Sequence, residues 1–176
     1  MVERVLWAAL TLRAVGLALR VAPQLNGRCI DGRFEAATAV HLGVVRSLRE
    51  GGLVVPTVHD ADRQPLGALM QALREALARA RGGQPRRSDL ADSTLTVTNF
   101  GDFGTDSVYG VIYPPQVALV GLGRIALRRV VREGLVVIAR TVHMTLSADH
   151  RVSDGLAGAR FLSELQRLLA HPEELA

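Results

Sequence analysis

The chain has 176 residues, 48% of them hydrophobic and 22% charged, and a formal net charge of +4. That length and balance suit one globular domain with a sizeable core and exclude a disordered chain. The basic residues are scattered, with only Arg86-Arg87 and Arg128-Arg129 adjacent, which reads as a solvated surface and excludes a nucleic-acid site; the single Cys29 excludes an internal disulfide and a multi-cysteine metal centre.

In chain order, residues 3–22 read as a helix, apolar on most faces and stopped before Pro23. Within it, residues 5–21, preceded by Arg4, loosely resemble a signal peptide, but Arg13 and Arg20 interrupt the run, and it is too short and too charged to span a bilayer. A buried core helix, no membrane and a reducing cytoplasm are the expectation. Residues 28–35 read as a small hairpin with Asp31-Gly32 at the turn. Residues 38–46 look like a strand, and residues 53–58 another, edge-placed because of Pro56; Gly51-Gly52 marks the turn between them. Residues 65–81 form an amphipathic helix: Leu66, Leu69, Leu73 and Leu77 recur at helical spacing, after Pro65 and before Gly82-Gly83. Residues 82–91 are polar and read as a loop. Three strands follow, at residues 94–99, 116–122 and 135–146. A closing helix spans residues 153–170, with Ser153 or Asp154 as its N-cap. Mixed strands and helices in one domain predict an α+β fold, a mixed β-sheet flanked by helices.

The segment Ser147-Ala148-Asp149-His150-Arg151-Val152-Ser153-Asp154-Gly155 carries the chemistry. It sets a histidine at the end of a strand and an aspartate four residues later, where a helix begins. Such a turn holds an imidazole rigidly and can fix its tautomer, as a general base requires. Taken alone, Asp154 is equally explained as a helix cap. Thr96-Val97-Thr98-Asn99-Phe100-Gly101 is a strand that ends in turn residues, and its threonines alone read as ordinary β formers. Gly121-Leu122-Gly123 opens no helix, so a dinucleotide or phosphate loop is rejected. His41 and His59 lie in or beside strands, His143 in the last long strand and His171 near the tail. None has a metal-ligand spacing, and no metal is expected. A Gly-x-Ser-x-Gly elbow is absent, which argues against a serine hydrolase.

Five segments in order, Pro23-Gln24-Leu25-Asn26, Gly52-Leu53-Val54-Val55-Pro56, Thr98-Asn99-Phe100-Gly101, Pro114-Pro115-Gln116-Val117-Ala118 and Asp149-His150-Arg151 with Asp154-Gly155, resemble the C-terminal catalytic domain of the E2 dihydrolipoyl acyltransferases of 2-oxoacid dehydrogenase complexes. That family shares its sandwich fold with chloramphenicol acetyltransferase. The resemblance implies His150 as general base, Thr98 as oxyanion donor and Asp154 as supporting carboxylate. It implies coenzyme A as cosubstrate, a lipoyl group supplied by another polypeptide, and a homotrimer or multiple of trimers whose subunits share each site. The further partners implied are a lipoyl domain and the E1 and E3 components. Set against the family pattern, residues 1–176 lack the first strand and helix, with their Arg-rich segment, and carry no lipoyl or peripheral-subunit-binding domain. Two other readings stay open on the sequence: a non-catalytic assembly subunit or inactive fragment, and a stand-alone acyltransferase acting on a small-molecule hydroxyl or amine. The acyl group itself is not fixed by these motifs.

Overall fold

The computed structural model describes residues 2–47, 52–83 and 86–176. The elements in chain order are α1 (Val2–Ala18), β1 (Gly27–Ile30), β2 (Arg33–Ala36), β3 (Leu42–Val44), β4 (Arg46–Ser47), β5 (Leu53–Val54), β6 (Thr57–Val58) and α2 (Leu66–Arg81). After them come α3 (Arg87–Ala91), β7 (Leu95–Asn99), β8 (Ala118–Leu122), β9 (Ala126–Arg132), β10 (Leu135–Thr141), β11 (Met144–Ala148) and α4 (Gly155–Ala170). A mixed five-stranded sheet in the order β11-β8-β7-β3-β6 organises the domain. Strand β7 lies at its centre, parallel to both β3 and β8, while β11 and β6 run antiparallel at the edges.

Side-chain alternation gives this sheet two unlike faces. Leu42, Val44, Leu95, Val97, Val120 and Leu122 point to one face and are buried. There they meet Leu12 and Val15 of α1, Leu69 and Leu73 of α2, and Phe161 and Leu165 of α4 in one core. Burying a side chain of the size of Phe161 or Leu95 stabilises the fold by about 1.5–3 kcal/mol each. The opposite face carries Gly43, Thr96, Thr98 and Gly121, small or polar residues brought level by the register. The expected α+β sandwich is thus the fold, with its helices on one face.

Several expected elements are redrawn. The hairpin at residues 28–35 forms as β1 and β2, with Asp31 and Gly32 both at positive φ, as a type I′ turn requires. The strand expected at residues 38–46 shrinks to β3 and β4, and residues 53–58 break at Pro56 into β5 and β6. Gly51 lies outside the described residues. The expected loop at 82–91 contains α3 instead. Asp89 caps that helix by accepting the Arg86 N–H at 2.9 Å, and both its oxygens pair with Arg79 of α2 at 2.8 and 2.9 Å. The single long strand expected at 135–146 is two strands. β10 turns back on β9, an unforeseen strand, and β11 joins the main sheet. His143 falls between them, exposed, and is not in a strand as expected. The β9–β10 turn is Glu133-Gly134, again with two positive φ values. A glutamate is an unusual residue there, which is why the turn signal was missed.

Candidate active site

The face of the sheet away from the helices presents three threonines in alternation. Thr94 donates to Asn26 Oδ1 at 2.6 Å. Thr96 donates to Gln116 Oε1 at 2.8 Å, and the Gln116 amide donates in turn to Ser93 at 2.8 Å. These two hydroxyls are engaged in tying loops to the sheet. Thr98 is different. It is only 5% exposed, yet among the described residues its hydroxyl has no hydrogen-bond partner. It stands in the wall of a cavity of about 200 Å³ whose lining includes Leu53, Val54, Leu77, Phe100 and Phe103. The hydroxyl is not one of the sealed, unpartnered polar atoms among the described residues, so it stays open to water or to a ligand.

The backbone beyond Thr98 is fixed closely. Asn99 Oδ1 accepts the Gly101 N–H at 2.8 Å, and the Phe100 N–H donates to Leu122 O at 3.0 Å. A Cβ on Gly101 would lie 2.8 Å from the Gly123 carbonyl oxygen, so only glycine fits this turn without displacement.

His150 sits on the turn from β11 into α4. The turn is locked from both sides. The Asp149 N–H donates to Val117 O at 2.8 Å, and the Val152 and Ser153 N–H groups both donate to Asp149 O at 3.0 Å. The Asp149 carboxylate accepts the Arg151 N–H at 3.0 Å and the Arg151 guanidinium at 2.6 Å. Those side-chain bonds to Arg151, with the backbone bond behind them, hold the Asp149 carboxyl at a pKa of about 2. His150 itself is exposed, and among the described residues no group bonds its ring. The turn therefore fixes the backbone that carries the imidazole. It does not fix the tautomer, contrary to expectation. Asp154 is the N-cap of α4: its Oδ1 accepts the Ala157 N–H at 2.8 Å, the capping role that the sequence also allowed.

Thr98 and His150 lie at opposite ends of the sheet. Thr98 is level with Gly121 of β8, whereas Ala148 is level with Ala118. From Gly121 to Ala118 is three steps, and His150 stands two steps beyond Ala148. Five steps of ~3.3 Å along the strand and two strand spacings of ~4.8 Å separate the two backbones by about 19 Å. One chain cannot bring both side chains to one carbonyl group.

The remaining histidines do not build a site. His59 Nε2 lies 3.2 Å from Asp92 Oδ2, its ring packs edge-on against His41 at 4.8 Å, and His41 Nδ1 accepts the Asp60 N–H at 3.1 Å. His171 caps the end of α4 near Glu173. Among the described residues no group of three or more His, Cys, Asp or Glu could hold a metal ion. No described helix is long and apolar enough to cross a membrane. Sequence reasoning missed the lining of the cavity, which mixes apolar side chains with Arg46, Ser47, Arg81 and Asn99. Leu53, Leu77 and Phe103 come from three separate elements, and no local pattern unites them.

The chain thus sets Thr98 near the end of the central strand, beside a cavity, and His150 on the turn ahead of a capped helix. The chain belongs to the 2-oxoacid dehydrogenases acyltransferase (catalytic domain) family, whose pattern matches residues 3–176. It is 36% identical over 167 residues to the lipoamide acyltransferase component of the branched-chain alpha-keto acid dehydrogenase complex of Pseudomonas aeruginosa, covering 93% of this chain and 39% of that protein. The chain thus spans about two fifths of the length of the curated relatives it matches. Among solved structures, the dihydrolipoamide acetyltransferase of Azotobacter vinelandii superposes with a TM-score of 0.89 at 25% identity, covering 96% of this chain and 70% of that one. The residues studied for their catalytic role in that protein are a serine, a histidine 52 positions later and an asparagine four positions further on. The cubic core of a pyruvate dehydrogenase multienzyme complex matches equally, at 0.89, 25%, 96% and 70%. Chloramphenicol acetyltransferase shares the fold alone, with a TM-score of 0.59 at 17% identity over 92% of this chain and 76% of that one.

Proposed function

We propose that this domain transfers an acyl group between dihydrolipoamide and coenzyme A, with each site built between two copies of the chain. The observation that carries this reading is spacing joined to position. Thr98, His150 and Asp154 stand at the same intervals as the serine, histidine and asparagine studied in the Azotobacter vinelandii protein. Here Thr98 offers an unengaged hydroxyl and His150 an accessible ring.

The chemistry follows from those two groups. A thiol with a pKa of about 8.5 is mostly protonated at neutral pH. His150 takes the proton of the coenzyme A thiol while that sulfur forms a bond to the thioester carbonyl carbon of acyl-dihydrolipoamide. Thr98, from another copy, donates a hydrogen bond to the resulting oxyanion. The carbon–sulfur bond to dihydrolipoamide then breaks, and His150 returns the proton to the leaving sulfur. Asp154 acts as a positioning residue through the helix it caps. Its carboxylate, where the Azotobacter protein has an asparagine, caps with Oδ1 and leaves the other oxygen unengaged among the described residues.

Two features support the partners. All 21 basic residues are arginine, so these 176 residues offer no lysine to carry a lipoyl amide. A lipoyl domain presented from outside this segment must bring it, and the E1 and E3 components of a 2-oxoacid dehydrogenase complex fit as further partners. The β9–β10 hairpin presents Leu127, Val131, Val136 and Ile138 on one face, each 68–72% exposed. A two-stranded ribbon is marginal in water, and four exposed apolar side chains, interleaved on that face with Arg129 and Arg140, mark a contact surface. A second copy covering it fits the homotrimer, or multiple of trimers, that the divided site requires.

The test is acyl transfer from acyl-dihydrolipoamide to coenzyme A by the purified domain and its His150→Ala variant, with circular dichroism as a control for folding. Turnover that falls by about 10²–10⁴ in a folded variant is the expected result. Unaltered turnover would remove His150 from the mechanism, and an inactive parent chain would favour an assembly role.

A further inference from the structure

The cavity beside Thr98 has two cations in its lining, Arg46 and Arg81. Arg81 stands in the last turn of α2, exposed to water. A helix end favours a positive charge there, but lysine meets that need as well as arginine does, and the two are near-equal helix formers. What arginine adds is a planar fork that grips a carboxylate with two hydrogen bonds. Arg79, two residues earlier, uses its fork on Asp89 at 2.8 and 2.9 Å. Arg81 makes no such pair among the described residues. Charge, helix and hydrogen bonding therefore leave the choice of arginine at this position unexplained.

The difference that remains is nucleophilicity. A lysine amine loses its proton with a pKa of ~10.4, so on the order of one part in a thousand is free near neutral pH. A neighbouring cation or an apolar wall raises that share. A free amine beside a thioester forms a carbon–nitrogen bond to the carbonyl carbon, the carbon–sulfur bond breaks, and the proton lost by the amine goes to the departing thiolate. The product is an amide, more stable than the thioester, and the acyl group is lost to the thiol acceptor. A guanidinium keeps its proton throughout the range in which proteins fold, so it is no nucleophile. We propose, resting on the acyl-transfer reading above, that Arg81 is a specificity-determining residue for the acceptor: it keeps a positive charge at the wall of the Thr98 cavity in a form that cannot take the acyl group, so that the group leaves only to a thiol. The composition points the same way. Lysine is among the commonest residues of globular domains, yet all 21 basic residues here are arginine, so no side-chain amine of these 176 residues meets a thioester.

The test puts an amine back. The purified chain and its Arg81→Lys and Arg63→Lys variants are incubated with acetyl-coenzyme A, and acetyl amides are located by intact mass and peptide mapping. Arg63 is the control, because it is exposed on the turn before α2 and lies outside the cavity lining. Acetylation at position 81 is expected to run at least about tenfold faster than at position 63, since the amine is held beside the bound thioester. Adding Thr98→Ala to Arg81→Lys is expected to bring that rate down to the rate at position 63, because the oxyanion donor is gone. Transfer to dihydrolipoamide is measured on the same samples, with circular dichroism as the control for folding. Equal rates at the two positions, or a fast rate at position 81 that survives Thr98→Ala, would overturn the role of Arg81, and a parent chain that still transfers to dihydrolipoamide would keep the acyl-transfer reading. Fast, Thr98-dependent acetylation at position 81 in a chain whose parent transfers nothing to dihydrolipoamide would support the role of Arg81 and overturn that acceptor. Equal rates with no transfer would overturn both.

Discussion

Mixing two disabled variants tests the divided site. Thr98 and His150 are about 19 Å apart along and across the sheet of one chain, yet an oxyanion donor and a thiol base must both reach one thioester. His150→Ala and Thr98→Ala should each lower turnover by about 10² or more. In a ring of like subunits every interface is heterologous, with the base from one copy and the hydroxyl from the next. Random assembly of equal amounts of the two variants gives each site an intact base with probability one half, and an intact hydroxyl independently with probability one half. About one quarter of parent activity should return. A companion mixture separates this from a site within one chain: parent chain assembled with the double variant also gives about one quarter if the site is shared, and about one half if it is not. The assay is acyl transfer after co-expression or after joint unfolding and refolding, with composition checked by mass spectrometry. Recovery no greater than the mean of the two single variants, together with one half in the companion mixture, would refute the sheet-register argument.

Other outcomes follow from single contacts. Thr98→Ser should keep most activity because it keeps the donor, whereas Thr98→Ala should lower kcat by about 10²–10³ with KM little changed; steady-state kinetics on both variants checks this order. Arg79→Met leaves the Asp89 carboxylate, buried and held below the ordinary carboxylate range chiefly by its hydrogen bonds to Arg79, without its cation. It should cost about 3 kcal/mol or more in urea unfolding. Val131→Asp with Ile138→Asp places charges on the exposed hairpin face, and should shift light-scattering mass towards the single chain if a second copy covers that face. Asp149 has a folded-state pKa of about 2, below the ordinary value of ~3.9. Its contribution to stability is therefore present above that ordinary value and is lost as pH falls through about 2. Arg151→Gln should destabilise the fold near neutral pH and make little difference below about pH 2, as read from urea midpoints across that range.

Local physics made much of this molecule readable. The Leu66–Leu69–Leu73–Leu77 spacing, closed by Pro65 and Gly82, could form only an amphipathic helix, and α2 is that helix. Asp31-Gly32 announced its hairpin because both positions need positive φ. The turn at His150 was legible for the same reason: an apolar strand must end before a capped helix can start, and Asp154 is the cap. Failures occurred where a long-range partner overrode the local pattern. Residues 82–91 look like a polar loop until Arg79, in the last turn of α2, supplies the cation that lets Asp89 be buried and nucleate α3. Residues 135–146 are mostly apolar and carry no turn signal, so nothing local says that the chain leaves one sheet and enters another between Thr141 and Met144.

The site divides along the same line. Strand alternation alone could not tell Thr98 from Thr94 and Thr96, which share its face; only the resemblance of Thr98-Asn99-Phe100-Gly101 singled it out. Only the structure shows that Asn26 and Gln116 occupy the first two hydroxyls and leave the third. The separation of Thr98 from His150 is a property of register, set by the pairing of β7 and β11 with β8. A one-residue slip in either pairing would turn each strand's side chains to the wrong face of the sheet. The core side of the sheet therefore protects the geometry of the other side: Leu95, Val97 and Val120 can be buried only in the register that holds Thr98 on the open face. A core substitution that loosens this pairing should consequently reduce catalysis before it unfolds the chain. Val97→Ala, next to Thr98 and pointing into the helix layer, is the position at which to see it, by comparing kcat per folded enzyme with the loss of unfolding free energy. A fall in stability of about 1–3 kcal/mol with kcat unaltered would show that Thr98 is held by its own strand alone.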